Sequence, residues 1–215
     1  NLIYTNKNLM GELKFFDSQT GYAYAGESNV ILKTTNGGNN WDSTYIISSQ
    51  PVKVVLPLNR NEILAGGGQN VTFPPNDVNT HVNIVKTSDA GVSWNESYYT
   101  RNYHFHDIHF KDNQNGLAIE ERGAILRTTN GGNEWIRIFD NSIYFFNIMK
   151  FANDSVGCIF AREGKFLRTT NYGNSWVELV TPVLDTKYKV IFLNELTGIA
   201  CGTLKYIQKT TNAGL

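Results

Sequence analysis

The sequence has little of what marks several protein classes. Two cysteines among 215 residues are too few for a disulfide framework. Nineteen Lys and Arg balance nineteen Asp and Glu, so the basic excess of a nucleic-acid-binding domain is missing. No apolar run approaches the ~20 residues of a membrane span. No charged-then-apolar leader opens the chain, which begins at Asn1 and not at Met. We therefore expect a soluble chain from which any leader is already gone.

The residues that are abundant favour strands and turns. Aromatic residues reach 13% and charged residues only 18%. Asn, Thr, Gly and Tyr are common where a helical protein would have Ala, Leu, Glu and Lys. The length allows one large all-β domain or two small ones.

An internal repeat decides between these possibilities. One phrase begins at Ile31, Ile84, Ile125, Phe166 and Ile207, with spacings of 53, 41, 41 and 41 residues. Its copies occupy 31–41, 84–94, 125–135 and 166–176, and a fifth, at 207–215, is cut short. Before each copy stand an apolar strand, a polar turn and a second, small or apolar strand. Each unit therefore predicts four antiparallel strands, A to D, with B at 116–120 and C at 125–129 in the third unit. About forty residues in four strands is the size of a β-propeller blade, so residues 1–215 read as a single propeller domain.

The turn between strands C and D has a physical interpretation. In the first copy, the Thr34 hydroxyl and the Asn36 side chain can bond nearby backbone N–H groups, while Gly38 can adopt a positive φ. Trp41 then resumes the chain as strand D and wedges into the blade packing. The same structural roles are predicted for Thr87, Asp89, Gly91, Trp94, Thr128, Asn130, Gly132, Trp135, Thr169, Asn171, Gly173 and Trp176.

These repeats resemble the Asp-box (BNR) repeat S/T-x-D-x-G-x-x-W. The fuller pattern I-x-[KR]-T-T-[ND]-x-G-x-x-W resembles that of the photosystem II assembly/stability-factor-like propeller family. Asn36, Asn130, Asn171 and Asn212 replace the Asp of the box, which only Asp89 keeps, and Asn can serve the same turn. The resemblance covers essentially the whole chain and implies a β-propeller. It implies less about function, because Asp boxes occur in sialidases, other glycosidases, sortilin-type receptors and scaffolds.

The repeat count gives about five blades and leaves two arrangements open. The chain can be a slice of a propeller of six to eight blades, or five blades can close with 1–5 adding strand D to the last one. The missing initial Met and the broken final motif favour the slice.

The two faces of a propeller carry different connections. A–B and C–D turns lie on one face, here called the turn face. D–A and B–C connections lie on the other, here called the loop face, where ligands usually bind. An insertion at about 67–81 falls in a B–C connection and therefore on the loop face, where long irregular loops are often functional. Residues that break the repeat on this face are the predicted ligand- or partner-binding candidates: Tyr98, Tyr99, Arg101, Tyr103, His104, His106, Glu120, Arg122 and Arg162.

Other residues receive mainly structural interpretations. Phe105, Phe145 and Phe146 are expected to pack between blades. The cations repeated at one position, Lys33, Lys86, Arg127, Arg168 and Lys209, are expected to lie along the blade with their heads in water. Cys158 and Cys201 are predicted to be free and mostly buried thiols. His104 and His106 could chelate a metal if His81 or Asp107 supplied a third ligand, but this spacing alone is weak and no metal or other cofactor is predicted.

Three functions are compatible with these features. The first is a non-catalytic propeller, secreted, periplasmic or at the cell surface, that binds a protein or a glycan and neither binds nucleic acid nor inserts into membrane. The second is a sialidase-like or xyloglucanase-like glycoside hydrolase, for which Asp107, Glu120, Glu121, Glu163 and Asp185 could supply the two carboxyl groups. The family resemblance implies the third, assembly of a membrane protein complex. We expect the first, and no enzyme activity.

Overall fold

The structure, a computed structural model, describes residues 10–25, 29–45, 51–67, 81–101, 104–182, 186–204 and 206–212. Five antiparallel sheets form the blades of a β-propeller, which confirms the predicted fold. Blade 1 contains β1 (Met10–Phe15), β2 (Gly21–Ala25), β3 (Val30–Thr34) and β4 (Asp42–Tyr45). Blade 2 contains β5 (Val52–Pro57), β6 (Ile63–Gly67), β7 (His81–Thr87) and β8 (Asn95–Arg101). In both, the strands pair in chain order.

The remaining blades repeat this order. Blade 3 contains β9 (Phe105–Phe110), β10 (Gly116–Glu120), β11 (Ala124–Thr128) and β12 (Ile136–Asp140). Blade 4 contains β13 (Phe146–Phe151), β14 (Gly157–Ala161), β15 (Lys165–Thr169) and β16 (Val177–Val180), with a short 3₁₀ turn at Arg162–Gly164. Blade 5 contains β17 (Lys187–Phe192), β18 (Gly198–Gly202) and β19 (Ile207–Thr210). A fourth strand of this blade would fall outside the described residues.

The core lies between blades. The innermost strands of successive blades pack against each other from β1 through β5, β9 and β13 to β17. Alternate residues of a strand point to opposite neighbours. Leu117 and Ile125 of blade 3 therefore meet Met149 of blade 4, whereas Ala118 and Leu126 meet blade 2. Phe105 and Phe146 are fully buried in these clusters, as predicted.

The C–D turns are built as the repeat predicts. The amide of Gly38 donates to the Thr34 hydroxyl at 2.9 Å, and the amide of Asn40 donates to the Asn36 side chain at 2.9 Å. Gly38 has a φ of 89°, which a side chain rarely tolerates. The same bond from the Gly amide to the Thr hydroxyl recurs in the turns of blades 2, 3 and 4 at 3.0, 2.9 and 2.8 Å. The tryptophans that follow are buried at positions 94 and 135 and half-buried at 41 and 176.

Two of the repeated cations, Lys33 and Arg127, connect neighbouring blades. The Lys33 ammonium donates to the carbonyl of Ala90 in the next blade's turn at 3.0 Å. Arg127 donates in the same way to the carbonyl of Tyr172 at 3.0 Å and to the Asn174 side chain at 2.7 Å. These residues are structural, as expected, but their heads bond protein groups and do not simply lie in water.

The expectation about the two cysteines was correct only in part. Both cysteines are free, but only Cys158 is buried. Cys201 is exposed, so that part of the prediction was wrong.

The first and last blades expose side chains that are buried at the equivalent positions of the inner blades. Ile207 of blade 5 is 80% exposed, whereas Ile125, its equivalent in blade 3, is fully buried. Leu13 of blade 1 is 56% exposed, whereas Val55, its equivalent in blade 2, is fully buried. Each of these side chains points away from the neighbouring blade that the structure describes. The segment 1–5, proposed to complete the last blade, lies outside the described residues.

Among the described residues, no helix is long and apolar enough to cross a membrane.

Candidate functional site

A β-bulge marks the loop-face end of every innermost strand. In blade 3, Phe105 pairs with Glu120 and Asp107 with Ile119, so His106 is the extra residue. The same register shift makes Lys53 the extra residue in β5 and Asn147 the extra residue in β13, and one shift each occurs in β1 and β17. A bulge bends the strand and re-aims a side chain. The fold therefore offers one irregular position per blade here, and the sequence fills it differently each time.

Backbone bonds align the loops of blades 3 and 4. The Glu121 amide donates to the His104 carbonyl at 3.0 Å, and the Phe146 amide donates to the Glu121 carbonyl at 2.9 Å. The Arg162 amide then donates to the Phe145 carbonyl at 3.1 Å. These connections lie side by side in a fixed order, so their side chains can act as one surface.

An arginine–aromatic cluster, formed by Arg122, Phe145 and Arg162, lies on this surface. The guanidinium carbons of Arg122 and Arg162 lie 4.8 and 4.6 Å from the centre of the Phe145 ring. These distances are within the range of cation–π attraction. Phe145 is half-buried and belongs to none of the described core clusters, so the expectation that it packs between blades was wrong. Arg162 is exposed, with 53% of its side chain accessible.

A second group, formed by His104, His106 and Glu121, adjoins this cluster. One Glu121 carboxylate oxygen lies 3.5 Å from the Arg162 guanidinium, and the other lies 3.7 Å from Nδ1 of His104. The two imidazole rings have centroids 4.6 Å apart. Burial lowers the pKa of His104, and it lowers the pKa of His106 to about 3, with Arg162 and Lys53 adding positive charge nearby. Burial therefore favours the neutral form of both rings.

Glu120 does not belong to this surface. It ends β10 with a fully buried side chain, and both of its oxygens accept hydrogen bonds from Arg137, at 3.2 and 3.1 Å. The same guanidinium donates to the Tyr98 hydroxyl of blade 2 at 3.4 Å. Burial raises the pKa of Glu120 to about 7 despite this partner. Glu120 and Tyr98 thus help to join two blades and offer little to a ligand.

All but one of the described carboxylates proposed for glycoside hydrolysis lie beside a cation. Asp107 is buried and accepts bonds from the Met149 amide at 3.2 Å and the Lys150 ammonium at 3.3 Å. Asp107 is also absent from the histidine group, whose third member is Glu121. Glu163 is exposed in the 3₁₀ turn with a φ of 60°. Asp185 lies outside the described residues.

The structure describes some of the other predicted candidates and leaves others outside the description. Tyr99 is an exposed residue of β8. Arg101 ends the same strand, but its side chain and the whole of Tyr103 lie outside the description, as do residues 68–80 of the insertion. Sequence reasoning selected Arg122, Arg162 and both histidines, but it missed Phe145 as their partner. The available signal was its position. Phe145 directly precedes the innermost strand of its blade, and the residue at this position differs from one blade to the next.

Comparisons with known proteins agree with this fold. The family model of the photosynthesis system II assembly factor YCF48 matches residues 86–194. Among curated proteins, no sequence matches significantly. The structure of YCF48 from Cyanidioschyzon merolae is 15% identical with a TM-score of 0.66, over 98% of this chain and 72% of that one.

Two further structures show the same fold in other settings. A GH74 enzyme of Niastella koreensis is 14% identical with a TM-score of 0.74, over 95% of this chain and 37% of that one. The WD40 propeller domain of Doa1 is 8% identical with a TM-score of 0.71, over 98% of this chain and 67% of that one. At such identities, the likeness concerns the fold alone.

Proposed function

The chain belongs to the family of the photosynthesis system II assembly factor YCF48, and from this premise we propose that it is a non-catalytic binding protein whose loop face holds a partner protein. The arginine–aromatic cluster is the observation that carries the proposal. Arg and aromatic side chains dominate protein-binding hot spots. Here two arginines that break the repeat lie against one ring on a face that the backbone holds in place.

The charges of the cluster favour an acidic segment of the partner. Arg122 and Arg162 supply two guanidinium groups that can bind carboxylates in bidentate fashion. The Phe145 ring gives an apolar residue beside that carboxylate a surface to pack on. Lys53 adds positive charge near the histidines, whereas the Glu121 carboxylate is engaged by Arg162. We infer that the cluster recognises a carboxylate next to an apolar side chain.

A role in assembly follows from the same premise. The family takes its description from YCF48, an assembly factor of photosystem II. For this chain we propose the general form of that role, holding one subunit of a protein complex while others join.

We also propose that the protein is located outside the cytoplasm. Fractionation of the source cells tests this location.

Catalysis is not part of the proposal. A glycosidase needs two carboxyl groups that are free to act across one bond. Among the described residues, Asp107, Glu120 and Glu121 each have a cation beside them. A glycan partner, the alternative to a protein, has no specific observation in its favour, since the likeness to the GH74 enzyme concerns the fold.

Binding of defined peptide pools by the purified chain tests the proposal. Fluorescence anisotropy would compare pools that differ only in bearing Asp and Glu, neutral residues, or Lys and Arg around a fixed apolar residue. We expect the acidic pool to bind best, and Arg162→Ala to weaken its binding about tenfold or more. Arg60→Ala is the matched control, because Arg60 is a 71% exposed arginine paired with Asp17 on the turn face. Equal losses in the two variants, or no preference for acidic peptides, would contradict the proposal.

A further inference from the structure

Among the residues that the structure describes, two histidine nitrogens of the loop face are buried without a hydrogen-bond partner. They are Nδ1 of His104 and Nε2 of His106. The His104 side chain is only 9% exposed, so water cannot readily serve its ring nitrogen. A buried polar atom without a partner destabilises the folded state. Such a cost, carried twice by adjacent rings, calls for a ligand that both nitrogens could share.

The fold brings a carboxylate to the same place. One potential ligand atom from each of His104, His106 and Glu121 lies within 4.8 Å of the others. The bulge of β9 places His106 at its irregular position, and the Glu121 amide bonds the His104 carbonyl at 3.0 Å. The 3.7 Å separation between His104 Nδ1 and the Glu121 carboxylate is too long for a hydrogen bond. The three groups are therefore near one another without satisfying one another.

We propose that His104, His106 and Glu121 bind a divalent transition-metal ion of the Zn²⁺ class, with water completing its coordination. Two imidazoles and one carboxylate form a known donor set for such ions. Bonds of about 2.0–2.2 Å in a tetrahedral site place the donor atoms about 3.3–3.6 Å apart. The present separations extend to 4.8 Å, so the three side chains would have to move closer together to bind the ion.

The surrounding charges determine which ions the site can hold. One Glu121 oxygen faces Arg162 and the other faces His104, so the carboxylate can keep the arginine while it binds the metal. Arg162 and Lys53 repel a cation, and within the described part of the chain the site offers one carboxylate, that of Glu121. Mg²⁺ and Ca²⁺ need several oxygen ligands and should not bind. Zn²⁺, Co²⁺ and Ni²⁺ gain from the two nitrogens.

The proposal is independent of the partner, and the metal alone tests it. The purified chain, stripped with EDTA, would be titrated with Zn²⁺ or Mg²⁺ while its melting temperature is followed. Zn²⁺ should raise the melting temperature and Mg²⁺ should not, because a ligand of the folded state stabilises it by mass action. Co²⁺ should give visible d–d bands that Zn²⁺ displaces.

Variants then assign the ligands. Glu121→Gln and His106→Gln, each compared with its own EDTA-treated baseline, should weaken Zn²⁺ binding about tenfold or more and lose the Co²⁺ bands. His109→Gln is the matched control, since His109 stacks on Phe151 outside the group and should keep both signals. Equal shifts with Zn²⁺ and Mg²⁺, no shift with either, or an effect of His109→Gln as large as that of Glu121→Gln would overturn the proposal.

Discussion

The two faces of this propeller use their polar groups in opposite ways. On the turn face, the Thr hydroxyl and the Asn or Asp side chain repeat the same bonds in blades 1 to 4. Its unpartnered indole N–H groups, at Trp94, Trp135 and Trp176, also repeat from blade to blade. On the loop face, the bulged positions hold different residues, and among the described residues unpartnered buried nitrogens occur there at His104, His106 and Asn147. Residues that repeat from blade to blade are thus the ones that the fold requires, and residues that break the repeat are the candidates for ligand binding.

The largest expected effect is on stability, from the turn face. Trp135 is buried against Phe110 and Leu64. Trp135→Ala should therefore lower the free energy of unfolding by about 3–5 kcal/mol, measured by urea denaturation. Ile136→Ala, at a neighbouring 70% exposed position, should change it by less than about 0.5 kcal/mol. Similar losses in both variants would show that the tryptophan is no more important than its surroundings.

A smaller loss is expected within a single turn. The Thr169 hydroxyl accepts from the Gly173 amide at 2.8 Å and donates to Asn171 at 3.0 Å. Thr169→Val keeps the shape but removes these bonds, and should cost about 1–3 kcal/mol in urea denaturation. Asn171→Asp is the control, because it recreates the Asp89 turn, including the serine four residues on. A loss from Asn171→Asp as large as that from Thr169→Val would argue against the proposed bonding.

On the loop face, we expect a substitution to weaken binding without much change in the free energy of unfolding. Arg162 is exposed and its ion pair with Glu121 is long, at 3.5 Å. Arg162→Ala should therefore change the free energy of unfolding by less than about 1 kcal/mol, even though it is expected to weaken peptide binding. Thermal denaturation and anisotropy on the same preparation separate the two effects. If the variant instead unfolds as readily as Thr169→Val does, the loop face is structural.

The smallest effect concerns the one acidic turn. Hydrogen bonds from Ser93 and Thr87 lower the pKa of Asp89 to about 2, from an ordinary value of 3.8. Because the folded state favours the charged form, the stabilisation is present above the ordinary pKa and is lost as pH falls from about 4 towards 2. Melting temperatures of the native chain and of Asp89→Asn should therefore converge over this range. Parallel curves would contradict the assigned hydrogen bonds.

The sequence predicted the turn face well because its signals are local. Thr, Asn, Gly and Trp within eight residues contain the whole turn, and strand B was predicted at its observed bounds. The A–B turns were predicted only as polar, although Asp17, Asn59, Asp112, Asn153 and Asn194 each accept backbone amides there. That signal was also local and was overlooked.

The loop face was harder to predict because its geometry depends on pairing between strands. The bulge at His106 is a property of the register between β9 and β10, which no single segment encodes. Glu120 and Glu121 are adjacent in sequence, yet strand parity turns Glu120 into the core while Glu121 meets the histidines. Cys201 was expected to be buried like Cys158, but its position in blade 5 faces away from the described neighbour.

Mapping of peptide contacts by NMR tests the division between the faces most directly. An isotope-labelled sample of the chain would be titrated with an acidic peptide that binds it, and the amide shifts recorded. We predict that the perturbed amides concentrate at 104–106, 121–122, 145–146 and 162. The amide chemical shifts of the repeated turns at 34–41, 87–94, 128–135 and 169–176 should not change. Shifts centred on those turns, with 145 and 162 unchanged, would contradict the account.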